Sequence, residues 1–150
     1  ERLIDFKFKP IILEDFACFN AYFKNIICFD ISKGTKIFEF NDEPVVYFNN
    51  HDNYLIGVTK EENLLIVDAF ENFSSKVLAI PGEVIHSAKI NNNLCFDARD
   101  FQLFCIDLNS MNKFYPSFSK NKNYKNIYSS NNFLFLQNKN NKISIHSVGQ

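Results

Sequence analysis

Tryptophan is absent from this 150-residue chain, methionine occurs once, and glycine and proline occur four times each. So little glycine and proline excludes collagen-like sequence and proline-rich linker character. Four glycines also leave no material for a Gly-rich phosphate loop, and none of G-x-x-x-x-G-K-S/T, G-x-G-x-x-G or G-x-S-x-G occurs. An excess of one charge is missing too: 16 Lys and Arg face 17 Asp and Glu, interspersed, for a net charge of −1. That balance excludes a global basic field holding nucleic acid by its phosphates, and a like-charged interaction tail. No apolar run approaches the roughly 18 residues that cross a bilayer as a helix. No charged segment followed by an apolar stretch marks a secretory signal. The chain starts at Glu1 rather than Met, and is expected to be a segment of something longer.

What the chain has in quantity is phenylalanine, 18 residues, with abundant Asn, Lys and Ile. These residues use A/T-heavy codons, so the bias points to an AT-rich genome; a coding sequence of ordinary base content would contradict that. Hydrophobic residues make up 46%, enough for a real core in a chain of one ordinary domain's length. Apolar runs ending on Asp or His recur: IICFD ends at Asp30, LLIVD at Asp68, LFCID at Asp107 and ISIH at His146. The intervals are 38, 39 and 39 residues. Repeats of that length mean propellers, solenoids or arrays.

Residues 3–8, LIDFKF, alternate apolar and polar and predict a half-buried strand. Residues 9–15, with Pro10, predict a loop. Residues 16–22, 26–31 and 36–40 predict three more strands, the last two joined by the turn Ser32-Lys33-Gly34-Thr35. Four short antiparallel strands make one propeller blade. Residues 44–80 repeat the plan with strands at 45–48, 54–59, 63–68 and 76–80. Residues 84–118 repeat it at 84–90, 94–98, 102–108 and 113–118, and residues 124–147 at 124–129, 133–137 and 142–147, without an outer strand. A β-trefoil needs three longer repeats, and a two-sheet sandwich needs no such period. The expected fold is therefore all-β, a β-propeller of about four blades of four antiparallel strands. The blades run over residues 3–40, 44–80, 84–118 and 124–147.

Cys18 and Cys28 lie 12 and 2 residues before Asp30, and Cys95 and Cys105 stand likewise before Asp107. The matching positions are Ile56 and Ile66 before Asp68, and Leu134 and Ser144 before His146. A hairpin folded about its turn sets two such positions opposite each other, and their apolar character places them in the core. Their spacing is not that of CxxC metal ligands. A disulfide across each hairpin is the alternative, but Ile56 and Ile66 fill the equivalent site by packing alone. Reduced thiols are therefore expected, and with them an intracellular location, cytoplasmic or nuclear.

Residues 46–69 resemble the WD repeat. An apolar strand enters a five-residue turn at 49–53, Leu55-Ile56 follow, and a tight turn at 60–62 leads to an apolar run and a final Asp. Val67-Asp68 stands where the family places Trp-Asp, as do Phe29-Asp30 and Ile106-Asp107; Ile145-His146 departs from it. Asp100, and Glu61 as a variant, match the Asp that the family often carries in its tight turn. No Gly-His pair precedes any unit, so the family's hydrogen-bonded network is not carried over. The resemblance implies a WD-type propeller, commonly of about seven blades, used as a protein-interaction scaffold. Quinone-binding-type and clathrin-type propellers stay open beside it. Four blades would be an arc, completed by more of the same chain or by a partner; a closed four-blade ring is the alternative.

His51, His86 and His146 are scattered without ligand spacing, so no metal site is expected. His146 is expected to cap its strand end as the Asp counterparts do. Asp30, Asp68 and Asp107 are expected to accept backbone N–H groups of the next turn rather than act as catalytic carboxylates. Asp97 and Asp100 are expected together at a solvated tip. Asn72-Phe73-Ser74 fits the glycosylation acceptor pattern and is read as a chance match. No catalytic or cofactor-binding residue stands out, no cofactor is implied, and a propeller hydrolase is the least favoured function.

The expected function is a non-catalytic protein-interaction scaffold, a segment or subunit of a stable multiprotein complex. Its partners should touch turns, at Asn49, Asn50, His51, Asp52, Asn91 and Asn92 and at the connection over residues 41–44. The alternative is an RNA-associated subunit. Lys120, Lys122, Lys125, Lys139 and Lys142 gather near Tyr124 and Tyr128, basic residues with interleaved aromatics. Two solvated loops are the plainer account of the same residues.

Overall fold

The computed structural model describes residues 8–20, 26–119 and 124–148. Most of the strand expected at residues 3–8 lies outside them, as do residues 21 and 22, Lys120 and Lys122. All described elements are strands, and they form four antiparallel sheets taken in chain order. Sheet 1 holds β1 (Ile11–Leu13), β2 (Phe16–Asn20), β3 (Ile26–Asp30) and β4 (Lys36–Phe40). Sheet 2 holds β5 (Val45–His51), β6 (Tyr54–Thr59), β7 (Asn63–Asp68) and β8 (Ser74–Ala79). Sheet 3 holds β9 (Val84–Ile90), β10 (Asn93–Ala98), β11 (Phe104–Asp107) and β12 (Lys113–Phe114). Sheet 4 holds β13 (Asn126–Ser130), β14 (Phe133–Gln137) and β15 (Ile143–Ser147). The chain divides into two compact units, Glu1–Ile80 and Pro81–Gln150.

In the first unit, the loop expected at residues 9–15 contains β1. Ile11 and Leu13 point into the core while Ile12 between them is exposed, the period-two signature of a strand. Pro10 sits just before it, where its missing N–H removes no ladder bond. The face of sheet 1 that carries Cys18 and Cys28 packs on Val45, Phe48, Leu55, Leu65 and Val67 of sheet 2. Strands β6 and β7 are buried on both faces, which is why they read as unbroken apolar runs, and the outer strand β8 is mostly exposed.

In the second unit, the face of sheet 3 that carries Ala88, Cys95 and Cys105 packs on Ile127, Leu134 and Leu136 of sheet 4. Strand β12 is shorter than the expected residues 113–118 because Pro116 offers no N–H to a ladder.

Each first hairpin closes on two residues: Leu13 pairs with Phe16, His51 with Tyr54, Ile90 with Asn93 and Ser130 with Phe133. The first turn residue is left-handed in all four, at Glu14, Asp52, Asn91 and Asn131, with φ of 44, 51, 50 and 52°. Asn and Asp tolerate that region better than most residues. The five-residue turn expected at 49–53 is thus shorter: Asn49, Asn50 and His51 belong to the β5 ladder.

Two expectations are corrected by the register. Cys18 faces Cys28 and Cys95 faces Cys105, as Ile56 faces Ile66. The cysteines are not reduced, however: each pair is a disulfide, with Cα atoms 4.1 and 4.0 Å apart. Directly facing residues of a narrow antiparallel pair approach to about 4.5 Å, so two thiols there stand within bonding reach. The intracellular expectation loses the basis it had in free thiols. In sheet 4, Phe133 pairs with Ser147, as Phe16 does with Asp30, Tyr54 with Asp68 and Asn93 with Asp107. Ser147 therefore holds the Asp place, not His146. The expected Leu134/Ser144 pair does not form, and the counterpart of the cysteine pair is Phe135 facing Ile145. A one-residue slip exchanges the faces of a strand, and ISIHSV alternates too evenly to exclude the slip by inspection.

Candidate interaction surface

Within sheets 1, 2 and 3, the first hairpin turn and the turn after the third strand meet at one end. Ile31 N–H donates to the Asp15 carbonyl at 2.8 Å, Ala69 to Asn53 at 3.0 Å and Leu108 to Asn92 at 2.9 Å. The recurrent aspartates organise that end. Asp30 Oδ1 accepts the Ser32 hydroxyl at 2.7 Å and the Lys33 N–H at 2.9 Å. Asp68 Oδ1 accepts Asn53 Nδ2 at 2.6 Å and the N–H groups of Phe70 and Glu71 at 3.0 and 3.2 Å. Asp107 Oδ1 accepts the N–H groups of Asn109 and Ser110 at 2.9 and 2.8 Å. These are turn-capping carboxylates, as their repetition implied. The Ser32 hydroxyl, then the Lys33 amide, hold Asp30 down at about 2. Asp107 is lowered mainly by the Ser110 amide.

The turns Asp52-Asn53 and Asn91-Asn92 lie at this end of their own sheets. The connection over residues 41–44 does not: Lys60 N–H donates to the Pro44 carbonyl at 2.9 Å, which puts it with the β6–β7 turn at the opposite end of sheet 2. The turns grouped from sequence therefore occupy both ends of a sheet. Of the strand residues among them, Asn49 Nδ2 reaches the Tyr47 hydroxyl and Asn50 Nδ2 the Asp52 carbonyl, each at 3.3 Å.

At the Asn91-Asn92 turn a recess of about 590 Å3 is lined by Asn91, Asn92, Asn93, Asp107, Asn112 and Phe114. Four carboxamides offer donors and acceptors beside an aromatic ring, an arrangement suited to polar groups such as a peptide backbone. Nδ2 of Asn92 is buried with no hydrogen-bond partner among the described residues.

Of the basic patch, Lys125, Lys139 and Lys142 come to one end of sheet 4. Lys125 N–H donates to the Gln137 carbonyl at 2.7 Å, its Nζ to Asn141 Oδ1 at 2.7 Å, and Lys142 N–H to Asn138 Oδ1 at 3.0 Å. Tyr124 is buried and offers no face for a base to stack on, while Tyr128 is exposed.

Two side chains depart from expectation. Asp97 is not at a solvated tip: it lies in β10, which is buried along its whole length, with none of its surface exposed. Its Oδ2 accepts the Tyr124 N–H at 3.1 Å and lies 3.3 Å from His86 Nδ1. Asp100 alone occupies the tip. The available signal was a carboxylate inside a strand apolar on both faces. His146 does not cap a strand; it stacks on Phe118, ring centroids 4.1 Å apart, with Nε2 2.9 Å from Ser144 Oγ.

Burial pushes the Asp97 carboxyl above its ordinary range, opposed by the His86 contact and the Tyr124 N–H. The folded chain thus binds this proton more readily than the unfolded chain, so the contribution of Asp97 is complete at low pH and declines as pH rises. Asp30 and Asp107 have the opposite sign: their contribution is present above the ordinary carboxylate range of about pH 4 and is lost as pH falls below it, for Asp30 toward about 2. Urea titrations of Asp97→Asn from about pH 4 to about pH 7 should show its stability rising relative to the native chain. A constant difference would mean that Asp97 does not titrate in that window.

No protein-family model matches the chain, and no curated protein matches it in sequence. Solved structures do match it. BamB from Moraxella catarrhalis, 11% identical, covers 97% of this chain and 44% of its own, with a TM-score of 0.70. The computationally designed Ika4 protein, 12% identical, covers 99% of both chains with a TM-score of 0.69. The WD40 domain of Neurospora crassa Pan2, 12% identical, covers 90% of this chain and 46% of its own, with a TM-score of 0.66. BamB and the Pan2 domain are β-propellers. This chain has that fold, and its four sheets are blades. It spans less than half the length of BamB and of the Pan2 chain. Among the described residues no helix is long and apolar enough to cross a membrane.

Proposed function

We propose that this chain is a segment of a larger β-propeller serving as a non-catalytic protein-interaction scaffold in a multiprotein assembly. One observation carries the reading. The Cys18/Cys28 face of sheet 1 and the Cys95/Cys105 face of sheet 3 are each covered by the following sheet. The same face of sheet 4 leaves Tyr128, Phe133, Ile143 and Ile145 exposed. Strand β15 has one ladder partner among the described residues, whereas β3, β7 and β11 have two. A bare edge is a pairing template, and a contiguous apolar patch marks an interaction site. The occupant is a further blade and an outer strand, from more of the same chain or from a partner. The similarity to BamB over 44% of its length supports this reading. The similarity to Ika4 over 99% of both chains keeps the closed four-blade ring as the competing outcome.

Expressing the 150 residues alone tests the proposal. Concentration-dependent self-association, or stabilisation by a co-expressed partner, is the expected result; a chain that stays monomeric at high concentration and gains no stability from a partner overturns it. Cross-links from captured partners should fall on residues 41–44, on Asp52, Asn91 and Asn92 at turns, and on Asn49, Asn50 and His51 at the turn end of β5, and should not be confined to the strands' inner faces. Nucleic acid in the eluate, lost when Lys125, Lys139 and Lys142 are neutralised, would favour the RNA-associated alternative. Two buried disulfides fit an oxidising compartment, and that is the location we attach to the scaffold in place of a cytoplasmic or nuclear one.

A further inference from the structure

In the first unit, sheets 1 and 2 enclose a cleft of about 510 Å3 lined by Glu14, Asp15, Phe16, Ile37, Phe70 and Phe73. Its volume is in the range of ordinary ligand sites. The back wall is a fixed aromatic stack: Phe73 meets Phe16 edge-on at 5.2 Å and lies parallel to Phe38 at 5.3 Å. The front wall is open, with Phe70 55% exposed and Ile37 also exposed.

One lip is the β1–β2 turn, with two exposed carboxylates side by side, Glu14 and Asp15. Neither side chain has an ion-pair or hydrogen-bond partner among the described residues. Two acids elsewhere in sheet 1 are neutralised, Asp30 by Lys33 and Glu39 by Lys36.

Aromatic walls and an acidic lip that no described cation neutralises select the occupant by charge. An apolar group would desolvate the carboxylates and leave them without partners. An anion would be repelled by them. A guanidinium or ammonium group is attracted to ring faces, lays its methylene stem on apolar surface and makes charge-assisted hydrogen bonds to carboxylates. We infer that this cleft docks an Arg or Lys side chain from a basic segment of a protein partner. The inference rests on the scaffold reading for the partner being a protein, and it adds a surface outside residues 41–44, 49–53 and 91–93.

The test is fluorescence anisotropy on the full chain with a labelled peptide of alternating Arg and Gly. Saturable binding is expected, weakened about tenfold in Phe70→Ala and in the double variant Glu14→Gln, Asp15→Asn. Both changes are at exposed positions, and circular dichroism melts check that the fold is kept. The double variant Glu61→Gln, Glu62→Gln removes equal charge at the opposite end of sheet 2 and should bind as the native chain does. A peptide of alternating Glu and Gly should not bind. Unchanged affinity in both cleft variants overturns the inference, as does equal weakening in the Glu61/Glu62 variant. If the Arg peptide fails to bind while partner proteins still co-purify, the cleft is wrong and the scaffold stands. If cleft-dependent peptide binding is found and no protein partner is captured, the cleft stands and the scaffold is wrong.

Discussion

Replacing Ile66 with Ala should lower the free energy of unfolding by about 2–5 kcal/mol. Ile66 is 1% exposed and faces Ile56, which is wholly buried, across the β6–β7 ladder. Strand β7 is central in sheet 2, with β6 on one side and β8 on the other. Its neighbours Leu64, Leu65 and Val67 are buried as well, so the lost methyl groups leave a cavity that close-packed surroundings cannot fill. Val77→Ala, on the exposed strand β8, is the control and should cost less than about 0.5 kcal/mol. Urea denaturation of both variants measures the difference. A cost for Ile66→Ala as small as that of the control would remove Ile66 from the core.

The double variant Cys95→Ala, Cys105→Ala should lose roughly 2–3 kcal/mol, the chain-entropy value for a cross-link between residues separated by 10 positions. Both sulfurs lie in the buried cluster shared by sheets 3 and 4. Alanine also removes volume there, so the measured loss should not fall below the lower figure. Reduction of the native chain should reproduce much of the effect and, through Cys18 and Cys28, extend it to sheet 1. Thiol titration of the denatured, unreduced chain should find no free cysteine. Finding all of them free would restore the reduced-thiol reading and the intracellular location attached to it.

Local pattern carried much of the architecture. Strands β4, β6, β7, β9 and β14 stand where the alternation and the turn residues put them. Each lies in a repeat whose apolar run is bounded by Gly, Asn or charged residues. The pattern failed where a strand was too short to show a period, as in β1, or too even to reveal its register, as in β15. The turn positions of the proposed partner-binding residues were legible only in part. Asn91-Asn92 is a turn, as its sequence says, but Asn49 and Asn50 continue a ladder because the hairpin needs just two residues at Asp52 and Asn53. The aromatic cleft was not legible: Phe16 and Ile37 come from the starts of β2 and β4 and Phe73 from the turn between β7 and β8, and nothing in their spacing brings them together.

The repeat length, the strand alternation and the turn chemistry are properties of neighbours along the chain, so the sequence by itself determined an all-β chain of four similar units and assigned the capping role of Asp30, Asp68 and Asp107. Whether facing cysteines bond, which face of sheet 4 stays bare, and whether Asp97 meets water or His86 depend on residues 10 to 27 positions apart. Those outcomes follow from ladder register and sheet-on-sheet packing, where a shift of one residue exchanges buried for exposed, and only the tertiary structure decided them.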